Sequence, residues 1–237
     1  AAANTLVLVD GRRLNNPDLA APDLNVIALK DVERIEIIQG SAGTLFGDQA
    51  VGGVINVITR RPQRFSASIA GGLGSFDRRN LRAAISNHHE NGLSYRFSGE
   101  RRLTDNYRDH NQQDYVNAFG RLNYEHNSGT AFAEHQQIDE DLELPGALFA
   151  TQVEADRRQS TNPTQFTETR TEVSRIGIEQ SLHPDWYVRA EYTHRRSDGD
   201  GNLSGTAFSQ NRRVRELTPR LIGTLGSRHG EVLLTFG

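Results

Sequence analysis

At 237 residues the chain is long enough for one large domain or two modest ones, and its 27 basic and 30 acidic side chains lack the basic excess of a nucleic-acid binder. A hydrophobic content of 35% is low for a compact soluble core, which leaves partial disorder or strands that need only one apolar face. Cysteine is absent, excluding disulfides, thiolate metal sites and cysteine nucleophiles, and no apolar run reaches the length of a membrane-spanning helix.

The chain opens without methionine, a basic leader or a long apolar stretch, and is expected to be a fragment from the middle of something longer. "TLVLVDGRRL" reads as a short apolar strand stopped at Asp10-Gly11, where glycine accepts positive φ at no steric cost. "NNPDLAAPDLN" reads as a loop on its two prolines and its Asn and Asp residues. Val32, Ile35 and Ile37 mark a helical turn passing into a strand, glycines punctuate residues 40–53, and "VINVIT" closes the segment as a buried strand. These elements amount to a small, tightly turned α+β unit.

Beyond Arg60-Arg61-Pro62 the texture changes. Segments of about ten residues alternate apolar and polar positions, the length a tilted membrane-spanning strand requires. Leu93, Tyr95 and Phe97 oppose Ser94, Arg96 and Ser98; Trp186, Val188, Ala190 and Tyr192 oppose Tyr187, Arg189, Glu191 and Thr193. Alternation alone fits either a half-buried soluble sheet or a barrel with a hydrated lumen. Loop lengths favour the barrel: brief links at 90–92 and 127–129 alternate with long acidic or amide-rich stretches starting at 104, 139 and 197. Roughly nine strands are expected, beginning near 64, 79, 93, 113, 130, 168, 185, 213 and 230.

"VLVDGRRL" followed by "ALKDVERIEIIQGSAGTLFGDQAVGGVINVITRRP" resembles the second half of the plug domain of TonB-dependent outer-membrane receptors. The positions that carry the likeness are Glu33, Arg34 and Glu36 in the first strand, then Gly40, Phe46, Gly47, Gly52 and Gly53, and Asn56 in the last strand. Gln39 and Ser41 stand where family members usually carry Arg and Pro, which puts in doubt a plug-to-barrel ion pair made by that Arg in some members. The likeness is specific over residues 5–62 and implies a mainly β fold: residues 1–62 a small α+β plug remnant, residues 63–237 an incomplete antiparallel transmembrane β-barrel. Such barrels have about 22 strands, so some nine strands leave the wall open.

The implied function is active import of a scarce, bulky solute, most simply a ferric siderophore, across the outer membrane of a Gram-negative cell. The implied partners are outer-membrane lipid and TonB, the latter through a segment outside this chain. No cofactor, nucleic acid or bond chemistry is implied, so no enzyme is expected. A passive porin or an adhesin-like β-barrel with a small capping domain is the alternative. By the same resemblance Arg13, Asn15, Asn16 and Asp18 occupy a plug apex that faces solute. Independently, Asp198, Asp200 and Asn202 have the one-three-five spacing of oxygen ligands in a calcium loop, although a flexible acidic loop explains them as well.

Overall fold

The computed structural model describes residues 4–15, 22, 24, 27, 29–43, 48–61, 64–227 and 230–237. They divide into two compact units, Ala1–Arg61 and Pro62–Gly237.

In the first unit, β1 (Thr5–Val9), β2 (Arg12–Arg13), β3 (Val32–Gln39) and β4 (Gly53–Thr59) form one sheet in the order β2-β1-β4-β3. Strand β1 runs parallel to β4 in the register Thr5↔Gly53 to Val9↔Val57, and the outer pairs are antiparallel. Five consecutive β-favouring side chains make β1, and the left-handed φ of Asp10 (52°) and Gly11 (78°) turns it into β2. A 3-10 turn at Leu29–Asp31 leads into β3, so the helical turn expected from Val32 lies just before it and Val32 is already strand. Leu6, Leu8, Ala42, Ala50 and Val54 cluster as the buried core. Each leucine or valine so buried contributes about 1.5–3 kcal/mol, which makes the cluster the main cohesive element of so small a unit.

Gly53, where β4 starts, has φ +140°, and a Cβ there would lie 2.6 Å from the Ile38 carbonyl oxygen. The close approach of β4 to β3 is therefore open only to glycine.

The second unit is a single nine-stranded meander, every neighbour antiparallel: β5 (Ser66–Gly74), β6 (Arg78–His88), β7 (Leu93–Thr104), β8 (Gln113–His126), β9 (Gly129–Glu143), β10 (Phe166–His183), β11 (Trp186–Leu203), β12 (Thr206–Ser227) and β13 (Gly230–Phe236). Among the described residues the sheet stays open, with β5 and β13 at its edges. Nine strands appear where nine are expected, and the registers collect the apolar positions on one face. Leu93 lies opposite Tyr124, Tyr95 opposite Leu122, and Tyr192 opposite Leu217. Many of these apolar side chains are exposed, among them Ile69, Phe97, Leu122, Ile176 and Leu217. No helix among the described residues is long and apolar enough to cross a membrane, which bears only on helices.

Links at 89–92, 127–128 and 184–185 are short, and both long links, 105–112 and 144–165, lie at the opposite end of the meander, together with the tight turns at 75–77 and 204–205. The longest link holds one helix, α1 (Ala150–Ala155).

One expected loop is not a loop. The stretch from 197 continues β11 to Leu203, and β12 begins at Thr206 rather than near 213. Its glycines and acidic residues suggest flexibility, but they keep period two: Asp198, Asp200 and Asn202 fall on one face, and Gly199 and Gly201 on the other. Ladder pairing to β10 and β12 runs unbroken through them. Ser204 (φ 53°) and Gly205 (φ 79°) close the hairpin, two left-handed residues in succession as a two-residue hairpin turn needs.

Candidate functional site

In the first unit the polar side chains grouped by sequence mostly work on their own backbone. Asn15 is 4% exposed. Its Oδ1 accepts from the Val7 N–H at 2.7 Å, and its Nδ2 donates to the Thr5 carbonyl at 2.9 Å, so it clamps β1. Arg13 is paired opposite Leu8 in β2 and half-buried. Asn16 and Asp18 lie outside the described residues, as do Phe46 and Gly47. Replacing Asn15 by alanine strands a buried donor and a buried acceptor and should cost about 2 kcal/mol. Hydrogen exchange at the Val7 amide should speed up accordingly, and an unchanged rate would contradict the clamp.

The charged residues of β3 form an exposed chain. Arg34 bonds Glu36 at 2.9 Å and Glu33 at 3.0 Å, and the Glu36 hydrogen bond raises the guanidinium pKa further above its usual value. Asn56 Nδ2 donates to Glu36 Oε2 at 3.2 Å, while its Oδ1 accepts from the Gly11 N–H at 3.1 Å. Asp10 accepts from the Thr59 N–H at 2.9 Å and from the Thr59 hydroxyl at 2.7 Å. The motif thus links the first turn of the unit to both of its later strands. Gly52 fits close against the Asn4 carbonyl, and Gly40 (φ 89°) ends β3.

On the polar face of the large sheet the registers assemble a ladder that single-strand reading does not reveal. Arg121 on β8 meets Glu134 on β9 at 3.0 Å. Glu134 also meets Arg175 on β10 at 3.1 Å, and Arg175 reaches Glu191 on β11 at 2.7 Å. Arg175 is 2% exposed. The Phe132 ring lies beneath both arginines, 4.4 Å from the Arg121 guanidinium carbon and 5.4 Å from that of Arg175. It occupies the space over Gly177, where a Cβ would stand 2.3 Å from the ring. A second pair, Arg82 and Glu100, spans β6 and β7 at 3.0 Å. Only the alternation of opposite charges could have signalled this ladder, since the pairings depend on register.

At the long-link end the loops bind one another. Phe76 and Tyr107 meet edge to face at 5.7 Å. Arg108, on residues 105–112, donates to the carbonyls of Gly146, Pro145 (3.3 Å) and Gln159 (2.7 Å) on residues 144–165. His110 sits between the Gln165 carbonyl (2.7 Å) and Glu143 (3.4 Å). One guanidinium holding three carbonyls fixes the long link as a structured cap, with Phe149 78% exposed beside α1.

Asp198, Asp200 and Asn202 share the face that carries Tyr192. Asp198 is engaged by Arg196 at 2.6 Å and by Asn211. Among the described residues no group of three His, Asp or Glu side chains is placed to hold a metal ion.

Comparison with known proteins places this geometry. Residues 1–54 match the TonB-dependent Receptor Plug Domain family. Vitamin B12 transporter BtuB of Vibrio cholerae serotype O1 is 45% identical over 80 residues, 33% of this chain and 13% of that protein. BtuB of Photobacterium profundum is 41% identical over 71 residues, 30% of this chain and 12% of that protein. Among solved structures, the unliganded ferric citrate transporter FecA superposes with TM-score 0.82 at 22% identity, over 95% of this chain and 36% of FecA. The pyoverdine receptor FpvA of Pseudomonas aeruginosa PAO1 superposes with TM-score 0.78 at 16% identity, over 97% of this chain and 38% of FpvA. The chain therefore spans little more than a third of these structures. Residues 1–54 thus carry the sequence of a TonB-dependent receptor plug domain, the chain as a whole has the fold of part of such receptors, and the setting that goes with them is the Gram-negative outer membrane.

Proposed function

We propose that the receptor containing this chain binds a scarce, bulky solute at the cell surface and imports it with energy delivered through TonB. The observation that carries the reading is the pairing of a plug-family sequence over residues 1–54 with a nine-stranded antiparallel meander of barrel type. The plug-apex positions Arg13, Asn15, Asn16 and Asp18 are the candidates for solute contact, with Asn15 acting through its clamp on β1. Asp198, Asp200 and Asn202, on an exposed hairpin, are the positions to test for calcium. The role is transport without bond chemistry.

A ferric siderophore is the first substrate to test. A cobalamin-type corrinoid is the second, favoured by the 45% identity to vitamin B12 transporters. Uptake of radiolabelled iron–siderophore and of labelled cyanocobalamin should be compared in cells carrying or lacking the full receptor. Receptor-dependent accumulation of one label, abolished by a protonophore, is the expected result. Accumulation that persists without the proton gradient would replace active import with a passive pore.

A further inference from the structure

Most of the bonds that fasten the cap cannot respond to acidity. Arg108 keeps its charge at any pH a cell meets, and the Asp109 N–H, which donates to the Arg158 carbonyl at 2.7 Å, does not titrate. His110 is different. Its side chain, 19% exposed, joins the link at residues 105–112 to the end of β9 and to the last residue of the link at 144–165.

The neighbours of the two ring nitrogens fix their protonation. Nε2 stands 2.7 Å from the Gln165 carbonyl oxygen, which can only accept, so Nε2 carries a proton. Nδ1 stands 3.4 Å from Glu143 Oε1, and an ionised carboxylate also only accepts. A neutral imidazole has a single N–H. With that N–H given to Gln165, its Nδ1 lone pair would face the carboxylate. Only the doubly protonated, cationic ring suits both neighbours. Glu143 is itself held in place: its Oε2 accepts from the Gln112 N–H at 3.1 Å, and its N–H donates to the Gln112 carbonyl at 2.9 Å.

The other charged groups on the surrounding elements are engaged elsewhere or stand apart. Arg108 holds three carbonyls, Asp105 accepts from Gln112 Nε2 at 3.2 Å, Asp156 accepts from the Arg158 N–H at 2.8 Å, and Asp114 pairs with Arg101 at 3.0 Å. Asp109, Asp141, Glu154, Arg157 and Arg158 are exposed, and among the described residues the ring's ion-pair partner is Glu143.

We propose that His110 is a proton-operated clasp. Its imidazolium ties residues 105–112 to Glu143 and to the Gln165 carbonyl, and loss of the proton loosens the two long links from each other. The sign follows from the contacts. The fastened cap prefers the charged ring, so fastening takes up a proton; it is strongest below the imidazole range, about pH 5–8, and weakens as pH rises through that range. The clasp rests on contacts within the large sheet and is independent of which solute is imported.

The test uses the full-length receptor in detergent micelles. Hydrogen exchange of residues 105–112 is measured at about pH 5.5, where carboxylates stay ionised, and at about pH 8, with each rate corrected for its intrinsic value. Protection should fall about tenfold from the lower pH to the higher, while the turn at 203–206 keeps its protection. His110 has φ 51°, a left-handed conformation that asparagine also tolerates. His110→Asn therefore spares the backbone but cannot span both acceptors, and its protection at the lower pH should match that of the wild type at the higher. Glu143→Gln acts the other way. Its amide N–H can donate to a neutral Nδ1 while its oxygen still accepts from the Gln112 N–H, so protection should stay high at both pH values. Heat-modifiability on gels identifies the variants that fold. Four results would overturn the clasp: no change in the wild type, an undiminished fall in His110→Asn, loosening at both pH values in Glu143→Gln, or a parallel fall at 203–206.

Discussion

Alanine at position 53 should unfold the plug sequence. Gly53 has φ +140°, a conformation that carries a penalty of about 1–3 kcal/mol in any residue with a Cβ. The added methyl would also press to 2.6 Å from the Ile38 carbonyl oxygen, backbone that cannot rotate away. Relief requires β4 to leave β3, which breaks the Gln39↔Gly53 end of their register and loosens Val54 from the core cluster. A total of about 3 kcal/mol or more is a large share of the few kcal/mol a unit of this size holds in reserve. In the full receptor, Gly53→Ala should abolish solute uptake and expose residues 33–59 to protease while the barrel remains heat-modifiable. A variant that resists protease like the wild type would show that the strand junction can relax.

Removing the centre of the polar-face ladder should have the next largest effect. Arg175 neutralises Glu134 at 3.1 Å and Glu191 at 2.7 Å, and its own side chain is 2% exposed. In Arg175→Met two carboxylates lose their cation, and Glu134 faces the loss with 8% exposure. Deleting one member of a buried ion cluster costs about 3–5 kcal/mol, because the charge left behind keeps its desolvation penalty. Arg121 still reaches Glu134, which puts the expected loss near the lower figure, about 3 kcal/mol. The temperature at which the folded gel band disappears should fall in Arg175→Met and recover in part when Glu134→Gln and Glu191→Gln are added. Glutamine substitutions that lower the temperature further would mean that packing over Phe132, and not charge, is what Arg175 supplies.

The strands of the large sheet were legible because each carries its own period-two signal, and that signal survives without knowledge of neighbours. Leu93, Tyr95 and Phe97 identify an apolar face whatever they pair with. Partnerships were not legible. Nothing in "YVNAFGRLNYEH" or "GTAFAEHQQ" says that Arg121 will stand opposite Glu134, or that Phe132 will lie on the polar side over Gly177; register decides both. Composition misled at 197–203, where Gly and Asp suggested a loop but strand pairing on both sides overrode their weak β propensity. In the first unit the Glu33, Arg34, Glu36 and Asn56 pattern pointed to a connected motif, and it is connected. The family resemblance placed Asn15 at an apex that faces solute. Its burial arises because the chain turns back on β1 just there and the Val7 N–H needs an acceptor.

The β11–β12 hairpin closes on Ser204-Gly205 after unbroken pairing from Trp186↔Gly223 to Leu203↔Thr206. A ribbon tied at every rung cannot swing down as a lid does, because bending it would snap several ladder bonds together. The cap at residues 144–165 is fastened to residues 105–112 by Arg108, by His110 and by the Asp109 N–H, fewer bonds than the ribbon's ladder. At that end of the sheet the tall ribbon is a stationary gatepost, and the cap is the part that yields first.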